Sequence, residues 1–227
     1  MKIGIIGGGQ LGMMMAEEAK RLGHSIVSLD PNPKSSITTY SDCHIAKDYN
    51  DREVIEYMNE ICDVITYEFE NVDLSVLKNY ARKIPQKLKA LEISRDRIIE
   101  KNFAISLGIQ TPKFKKVMTK NDILIPSIIK TTNGGYDGKG QFRVLENSDT
   151  DQIGEIGSVS YISEELINFE YEISVVSTRD SFNEVVHFPI SKNTHKNGIL
   201  HTSIVDESIP SKIKEKAIKE KAIKESK

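Results

Sequence analysis

Residues 130–141 combine a lysine with a glycine-rich stretch, a pairing that suits the binding of phosphate groups. The stretch reads KTTNGGYDGKGQ, so Lys130 closes an apolar run and four glycines surround a second lysine, Lys139. Glycine permits positive φ angles and lets backbone N–H groups approach an anion. The stretch does not fit the Walker pattern, in which lysine follows the last glycine and precedes Ser or Thr. Two interpretations stay open, a phosphate-binding loop on another scaffold and an ordinary basic hairpin loop.

A second glycine pattern lies near the N-terminus. Gly7, Gly9 and Gly12 fit G-x-G-x-x-G between a predicted strand and a predicted helix, and Asp30 follows at an offset of about 20 residues. This pattern is typical of dinucleotide binding, with pyrophosphate at the helix N-terminus and the acidic residue on a ribose hydroxyl. The alternative is that the glycines only allow a tight turn and close packing of the helix, with an anion or nothing at its N-terminus.

Two carboxylates follow an apolar run at residues 64–67. They are Glu68 and Glu70, in the sequence EFEN. If the run is a strand of a parallel sheet, both side chains lie at its carboxyl edge, where folds of this kind bind ligands.

A further group of carboxylates lies around a short apolar link. Glu164 and Glu165 end one predicted strand, Leu166 and Ile167 follow, and Glu172 opens the next strand. Backbone atoms of the link could contact an adenine edge while the last carboxylate holds ribose hydroxyls. A solvated edge strand with surface carboxylates is the alternative interpretation.

Alternating strands and helices would position the N-terminal residues. Strands are predicted at residues 2–6, 25–29, 43–46 and 63–67, with helices at 13–22, 51–60 and 73–81. The alternation predicts a doubly wound parallel sheet, an α/β domain of Rossmann-like type, over residues 1–92.

The pattern changes in the second half of the chain. A helix is predicted at 94–107 with Ser94 as its N-cap. It is followed by strands at 114–118, 127–130, 142–145, 160–165, 172–177, 184–189 and 199–205. We therefore predict an α+β domain over residues 93–210. Residues 211–227 alternate lysine with glutamate and predict a charged terminal helix.

Charge and hydropathy exclude some classes of partner. The 227 residues include 31 Lys and Arg against 33 Asp and Glu, a formal net charge of −2, which argues against nucleic-acid binding. No apolar run approaches the roughly 20 residues that cross a bilayer, which argues against a membrane partner. The N-terminus enters a strand directly and does not resemble a signal peptide. We expect a cytoplasmic protein with small-molecule partners.

Taken together, five stretches resemble the ATP-grasp ligases and, within them, the family of 5-(carboxyamino)imidazole ribonucleotide synthases. They are residues 6–12 (IGGGQLG), 63–71 (DVITYEFEN), 96–97 (DR), 134–141 (GGYDGKGQ) and 195–200 (HKNGIL). The resemblance covers residues 1–210. It implies that the Rossmann-like domain helps to bind a ribonucleotide and holds no dinucleotide, and that an ATP-grasp domain follows it.

The resemblance also implies a reaction, its substrates and its cofactors. ATP phosphorylates bicarbonate, and the resulting carboxyphosphate carboxylates the exocyclic amine of 5-aminoimidazole ribonucleotide in purine biosynthesis. ATP and Mg²⁺ are the implied cofactors, and a homodimer is the implied assembly. In such chemistry the negative charges of the ATP phosphates and of bicarbonate lie close together, and positioned cations and backbone dipoles must neutralise them.

Site residues are carried over by the same resemblance, and none of them is assigned a catalytic role. The implied nucleotide-binding residues are Arg97, Lys130, Gly135, Tyr136, Asp137, Gly138, Lys139, Gly140, Gln141, Glu164, Glu165, Leu166, Ile167, Glu172 and His195. The implied substrate-binding residues are Gly9, Gln10, Leu11, Glu68 and Glu70.

The sequence departs from the family on its C-terminal side. The carboxylates that hold Mg²⁺ in these enzymes come later, near Ala-Pro-Arg and His-Asn-Ser-Gly-His segments, which this sequence lacks. We therefore expect a C-terminally truncated chain with an incomplete ATP-grasp domain, without metal ligands of its own and of doubtful activity. The alternatives are a non-catalytic nucleotide-binding remnant of the same fold, a related ATP-grasp carboxylase or formyl-phosphate-using enzyme, and an NAD-dependent oxidoreductase.

Overall fold

The computed structural model describes residues 1–70, 72–134, 140–153, 156–180, 182–196, 199–205 and 207–225. The chain divides into an N-terminal unit, Met1–Asp96, and a C-terminal unit, Arg97–Lys227. The domain bounds derived from the sequence, 1–92, 93–210 and 211–227, stay a prediction.

The N-terminal unit contains the predicted parallel sheet. Its strands are β1 (Lys2–Ile6), β2 (Ser25–Leu29), β3 (Cys43–Ile45) and β4 (Val64–Tyr67). Its helices are α1 (Gln10–Arg21), α2 (Arg52–Ile61), α3 (Leu74–Leu77) and α4 (Leu88–Ser94). The strand order is β3-β2-β1-β4 and every pair is parallel, which confirms the doubly wound prediction.

Successive residues of β1 pack on opposite faces of this sheet, as the two-residue repeat of a strand requires. Ile5 belongs to a core cluster with Ala16 of α1. Ile6 belongs to a second cluster with Ile55 and Met58 of α2. Helices therefore cover both faces, and the carboxyl ends of the strands remain as the edge at which loops can form a site.

Two predicted helices, at residues 73–81 and 94–107, were wrong in part. The helix predicted at 73–81 ends at Leu77 and continues as a 3₁₀ segment, Lys78–Lys83, that is kinked at Tyr80. The predicted N-cap, Ser94, is instead the last residue of α4. Its hydroxyl donates backward to the carbonyl oxygen of Leu91 at 3.4 Å, so it does not cap the helix that follows.

The described residues of the C-terminal unit form three antiparallel sheets. It begins with α5 (Arg97–Ser106), β5 (Phe114–Val117), β6 (Ser127–Thr131), β7 (Gln141–Val144) and β8 (Tyr161–Glu165). It continues with β9 (Glu172–Ser174), β10 (Ser177–Arg179), β11 (Val185–His187), β12 (Ser191–Lys196), β13 (Ile199–Val205) and α6 (Ser211–Glu225). The sheet orders are β5-β8-β6-β7, β13-β12-β9 and β10-β11.

The four-stranded sheet has its own core, in which Ile129 and Val144 are fully buried. This arrangement confirms the predicted α+β character of the second half. The run predicted as one strand at 172–177 is divided between β9 and β10, and β12 was not predicted at all. In the part of the chain that the structure describes, no helix is both long and apolar enough to cross a membrane.

Candidate functional site

One face of α5 borders a cleft in the C-terminal unit. Arg97, Glu100, Lys101 and Ala104 all line it, and their spacing of three and four residues places them on the same side of a helix. The cleft has a volume of about 310 Å³. Its other lining residues are Ile109, Thr111, Lys130 and Glu164.

Lys130 and Glu164 reach this cleft from neighbouring strands. β6 and β8 pair antiparallel with Ile128 opposite Glu164. Lys130 lies two residues further along β6, so its side chain projects from the same face of the sheet. Its Nζ lies 3.1 Å from Oε2 of Glu164, whose side chain is only 9% exposed. A carboxylate buried this deeply needs a cation beside it, so this ion pair fixes a charged pair at the cleft wall.

Arg97 holds the backbone where the glycine-rich stretch begins. Its guanidinium Nη1 donates to the carbonyl oxygens of Thr131 at 2.7 Å and Gly134 at 2.6 Å. The backbone N–H of Arg97 donates to the carbonyl oxygen of Thr132 at 2.9 Å. The predicted contact between Arg97 and phosphate stays a prediction, and in this structure the side chain shapes the entrance to the loop.

The loop itself is only partly described. Five predicted nucleotide-binding residues lie outside the described residues, namely Gly135, Tyr136, Asp137, Gly138 and Lys139. Gly140 follows with a φ of +71°, a conformation that favours glycine, and Gln141 opens β7. The Gly140 carbonyl oxygen accepts the N–H of Thr131 at 3.0 Å, which closes the loop at its base.

Glu172 and His195 lie together on the three-stranded sheet. Oε1 of Glu172 is 3.7 Å from Nε2 of His195 and accepts a hydrogen bond from the Asn193 amide at 3.0 Å. The amide nitrogen of Asn193 also donates to Ser174 at 2.7 Å, and its oxygen accepts from Ser203 at 2.9 Å. Asn193 is buried and has partners at both ends of its amide, so it orients the Glu172 carboxylate.

Two backbone N–H groups where β8 meets the link that follows it are hydrogen-bonded within the protein. The N–H of Glu165 donates to the carbonyl oxygen of Lys113 at 2.8 Å, and the N–H of Leu166 donates to that of Pro126 at 3.2 Å. Ile167 is exposed. An adenine contact at this link therefore cannot use the Leu166 N–H unless that bond opens, and the contact itself stays a prediction.

The glycine turn of the N-terminal unit is closed by a carboxylate of the same chain. Oε1 of Glu68 accepts the N–H of Gly9 at 2.9 Å, and Oε2 accepts that of Gly12. Glu68 thus occupies the N-terminus of α1, where a dinucleotide would place its pyrophosphate. Of the other predicted substrate-binding residues, Gln10 and Leu11 are exposed on the first turn of α1. Glu70 is partly buried after β4.

Asp30 is a structural anchor of the same turn. The residue is 5% exposed, and its carboxylate accepts hydrogen bonds from the N–H groups of Gly8 and Asn32, both at 2.8 Å, and from the Tyr49 hydroxyl at 2.9 Å. Burial and the bond to Asp30 raise the pKa of the Tyr49 hydroxyl, so it remains a donor. Because this carboxylate is enclosed by protein donors, the geometry argues against its use as a ribose ligand for NAD.

Sequence reasoning missed two residues that complete these groups. Asn193 was missed together with β12. Lys101 was missed although it lies four residues after Arg97, a spacing that predicts a shared helix face. No group of three or more His, Cys, Asp or Glu side chains is placed to hold a metal among the residues that the structure describes.

Comparisons with known proteins give two family matches and a consistent set of relatives. The model of the ribonucleotide synthetase preATP-grasp domain matches residues 1–94, and that of the ATP-grasp domain matches residues 102–225. The N5-carboxyaminoimidazole ribonucleotide synthase of Bacillus subtilis is 40% identical over 226 residues, covering 95% of this chain and 59% of that protein.

Two solved structures are similar over nearly the whole chain. An N5-carboxyaminoimidazole ribonucleotide synthetase in complex with ADP has a TM-score of 0.92 at 37% identity, covering 99% of this chain and 62% of that one. The Staphylococcus aureus N5-carboxyaminoimidazole synthetase complexed with ADP has a TM-score of 0.91 at 34% identity, covering 99% and 63%. The chain therefore spans about three fifths of the length of these relatives.

Proposed function

Because this chain belongs to the ATP-grasp family, we propose that it binds ATP in the cleft formed by α5, β6 and β8. The observation that carries the proposal is the ammonium group of Lys130, held at the cleft wall by the buried carboxylate of Glu164. Two of the similar solved structures are ADP complexes, which supports an adenine nucleotide as the ligand.

In this proposal the charges of the cleft receive the phosphate groups. Lys130 and Arg97 supply positive charge, and the proposal also assigns the glycine-rich residues 135–141 to the phosphate groups. The Glu172 carboxylate, oriented by Asn193, accepts hydrogen bonds from ribose hydroxyls, and His195 lies beside it. Glu165, Leu166 and Ile167 are the proposed neighbours of the adenine ring.

We further propose the overall reaction for which the relatives are named. Bicarbonate attacks the γ-phosphorus of ATP, which releases ADP and forms carboxyphosphate. The exocyclic amine of 5-aminoimidazole ribonucleotide then attacks the carboxyl carbon, phosphate leaves and the amine loses a proton. The N-terminal unit binds the ribonucleotide through Gly9, Gln10, Leu11 and the carboxylates of Glu68 and Glu70. A cytoplasmic location and a homodimer remain predictions of the same kind.

Among the described residues, no three His, Cys, Asp or Glu side chains lie close enough together to bind a metal ion. The described side chains therefore offer no preformed set of Mg²⁺ ligands. Mg²⁺ is generally bound by phosphate oxygens and water together with one or two carboxylates. The proposal therefore assigns it no protein ligand from the described residues and no step. Magnesium dependence is a quantity to be measured in the test below.

Isothermal titration of the chain with ATP, with and without Mg²⁺, tests the nucleotide proposal. We expect saturable binding that Lys130→Met weakens and that Lys120→Met, at a surface ion pair of the same unit, leaves unchanged. No saturable binding of ATP would overturn the proposal. A parallel titration with NADH should be flat, and binding of NADH in place of ATP would favour the oxidoreductase.

Turnover is tested separately from binding. Release of phosphate should depend on both bicarbonate and 5-aminoimidazole ribonucleotide if the chain carries out the full reaction. ATP binding without such turnover would favour the non-catalytic remnant, and phosphate release that ignores the ribonucleotide would favour a related ATP-grasp enzyme.

A further inference from the structure

Lys101 lies in the cleft beside Lys130 and has a comparable position with respect to Glu164. Its Nζ is 3.4 Å from Oε2 of Glu164, and its side chain is 15% exposed. The same ammonium lies 5.6 Å from the ring centroid of Phe114, within the range of a cation–π contact. Two lysines from different elements, α5 and β6, therefore converge on one carboxylate oxygen.

The charges around this oxygen leave an excess of positive charge. One ammonium is sufficient to balance the single charge of Glu164, and the second adds a unit that this carboxylate does not neutralise. Among the described residues of the cleft lining, the other charged groups are Arg97 and Glu100, which are opposite in sign. The part of the cleft lining that the structure describes is therefore cationic, and in a partly enclosed site such charge favours an anionic ligand.

The chemistry of the ammonium group allows a lysine to serve two partners. Each carries three N–H donors, so Lys101 can keep its bond to Glu164 while donating to a second acceptor. Glu164 holds both ammonium groups in place without using all of their donors. The Lys101 side chain lines the cleft and is only 15% exposed, which limits the number of positions that the ammonium can adopt.

We propose that Lys101 is a phosphate-binding residue of the nucleotide site, a second ammonium group that contacts the polyphosphate beside Lys130. This inference rests on the proposed binding of ATP. It adds a ligand contact to α5, the helix from which Arg97 organises the base of the glycine-rich loop. The competing explanation is that Lys101 only neutralises the buried charge of Glu164.

The series ATP, ADP and AMP separates the two explanations in equilibrium titrations of the full chain. Lys101→Met should weaken ATP binding roughly ten- to hundredfold, the value of a lost charge-assisted hydrogen bond, with a smaller loss for ADP and a negligible one for AMP. Lys101→Arg should recover most of the affinity for ATP. Lys120→Met removes the same charge from an exposed position and should change none of the three affinities.

Glu164→Gln combined with Lys101→Met provides the decisive comparison. If Lys101 binds phosphate, the double variant still loses the preference for ATP over AMP. If Lys101 only neutralises Glu164, removing the carboxylate restores that preference, and the inference is wrong. The double variant contains no uncompensated carboxylate at this position, so it also decides the question if Lys101→Met alone does not fold.

Two other outcomes would contradict the inference. An affinity for ATP in Lys101→Met equal to that of the unaltered chain would overturn the role of Lys101 and leave the nucleotide proposal intact. An equal loss for all three nucleotides would have the same meaning, because a phosphate contact must depend on the number of phosphates. Failure of the unaltered chain to bind ATP would overturn both proposals.

Discussion

Replacing Asp30 with asparagine tests whether this residue anchors the glycine turn or is available to a ligand. The carboxylate accepts three hydrogen bonds, two on Oδ2 and one on Oδ1. An asparagine keeps only one side-chain oxygen, and an NH₂ group replaces the other. In one orientation of the amide this NH₂ group faces the N–H of Gly8, and in the other it faces the N–H of Asn32. One donor, partly buried at Asn32 or fully buried at Gly8, is therefore left without a partner.

The expected cost follows from these bonds. A hydrogen bond to a charged group contributes about 1.5–3 kcal/mol, and a buried unpaired donor costs about 1–3 kcal/mol. The two remaining bonds also change from charged to neutral acceptors. We expect Asp30→Asn to destabilise the N-terminal unit by about 3 kcal/mol, in the range of buried hydrogen-bond networks that are broken by substitution.

Hydrogen exchange measured by mass spectrometry is the suitable assay, because it reports on the N-terminal unit separately from the rest of the chain. Peptides from β1 and β2 should exchange faster in Asp30→Asn. The matched control is Asp48→Asn, where an exposed carboxylate accepts one backbone N–H at 2.8 Å and a loss below about 1 kcal/mol is expected. Equal effects of the two substitutions would refute the reasoning and make Asp30 available again as a ribose ligand.

Three further substitutions test the rest of the structure. Gly12→Ala should unfold the N-terminal unit at lower denaturant concentration, because its Cβ would overlap a backbone carbonyl oxygen across the turn. Asn193→Asp should weaken ATP binding roughly tenfold in a titration, since it places a second negative charge against Glu172 at the distance of a hydrogen bond. The third substitution is Asp122→Asn. The backbone N–H and the hydroxyl of Thr119 donate hydrogen bonds to the Asp122 carboxylate and hold its pKa below the usual value. The substitution should therefore lower the melting temperature at pH 7 and have less effect at pH 3.

The sign of the last effect follows from linkage. A carboxylate with a lowered pKa in the folded state stabilises that state above its unfolded pKa, and the contribution is lost as the pH falls through the folded value. An effect of Asp122→Asn that is constant between pH 7 and pH 3 would contradict this. For Asn193→Asp the control is Asn168→Asp at an exposed position, and equal losses of ATP affinity would contradict the role of Asn193. Unchanged stability in Gly12→Ala would contradict the close approach of the turn.

The parallel sheet could be predicted because three of its strands, β1, β2 and β4, are short apolar runs followed directly by a glycine or an acidic residue. The same reasoning found Lys130 and Glu164, which lie at or near the ends of the apolar runs of β6 and β8. The role of Asp30 could not be obtained in this way. Its offset from the glycines is that of a ribose ligand, but the structure surrounds it with protein donors.

Residues that act across long sequence distances were the hardest to assign. Glu68 is 56 positions away from Gly12, and no local pattern shows that its carboxylate fills the N-terminus of α1. β12 has the sequence SKNTHK, with only Asn193 buried, so the alternation of apolar and polar residues that indicates a strand is absent. Lys101 could have been found, since Arg97 had already identified the relevant face of α5.

The most direct test of the central claim is the location of nucleotide protection. Hydrogen exchange of the full chain should be compared with and without saturating ATP. Binding in the proposed cleft predicts slower exchange in peptides that contain α5, β6 and β8. Protection confined to the glycine turn of the N-terminal unit, or no protection at a concentration of ATP that saturates binding, would contradict the account.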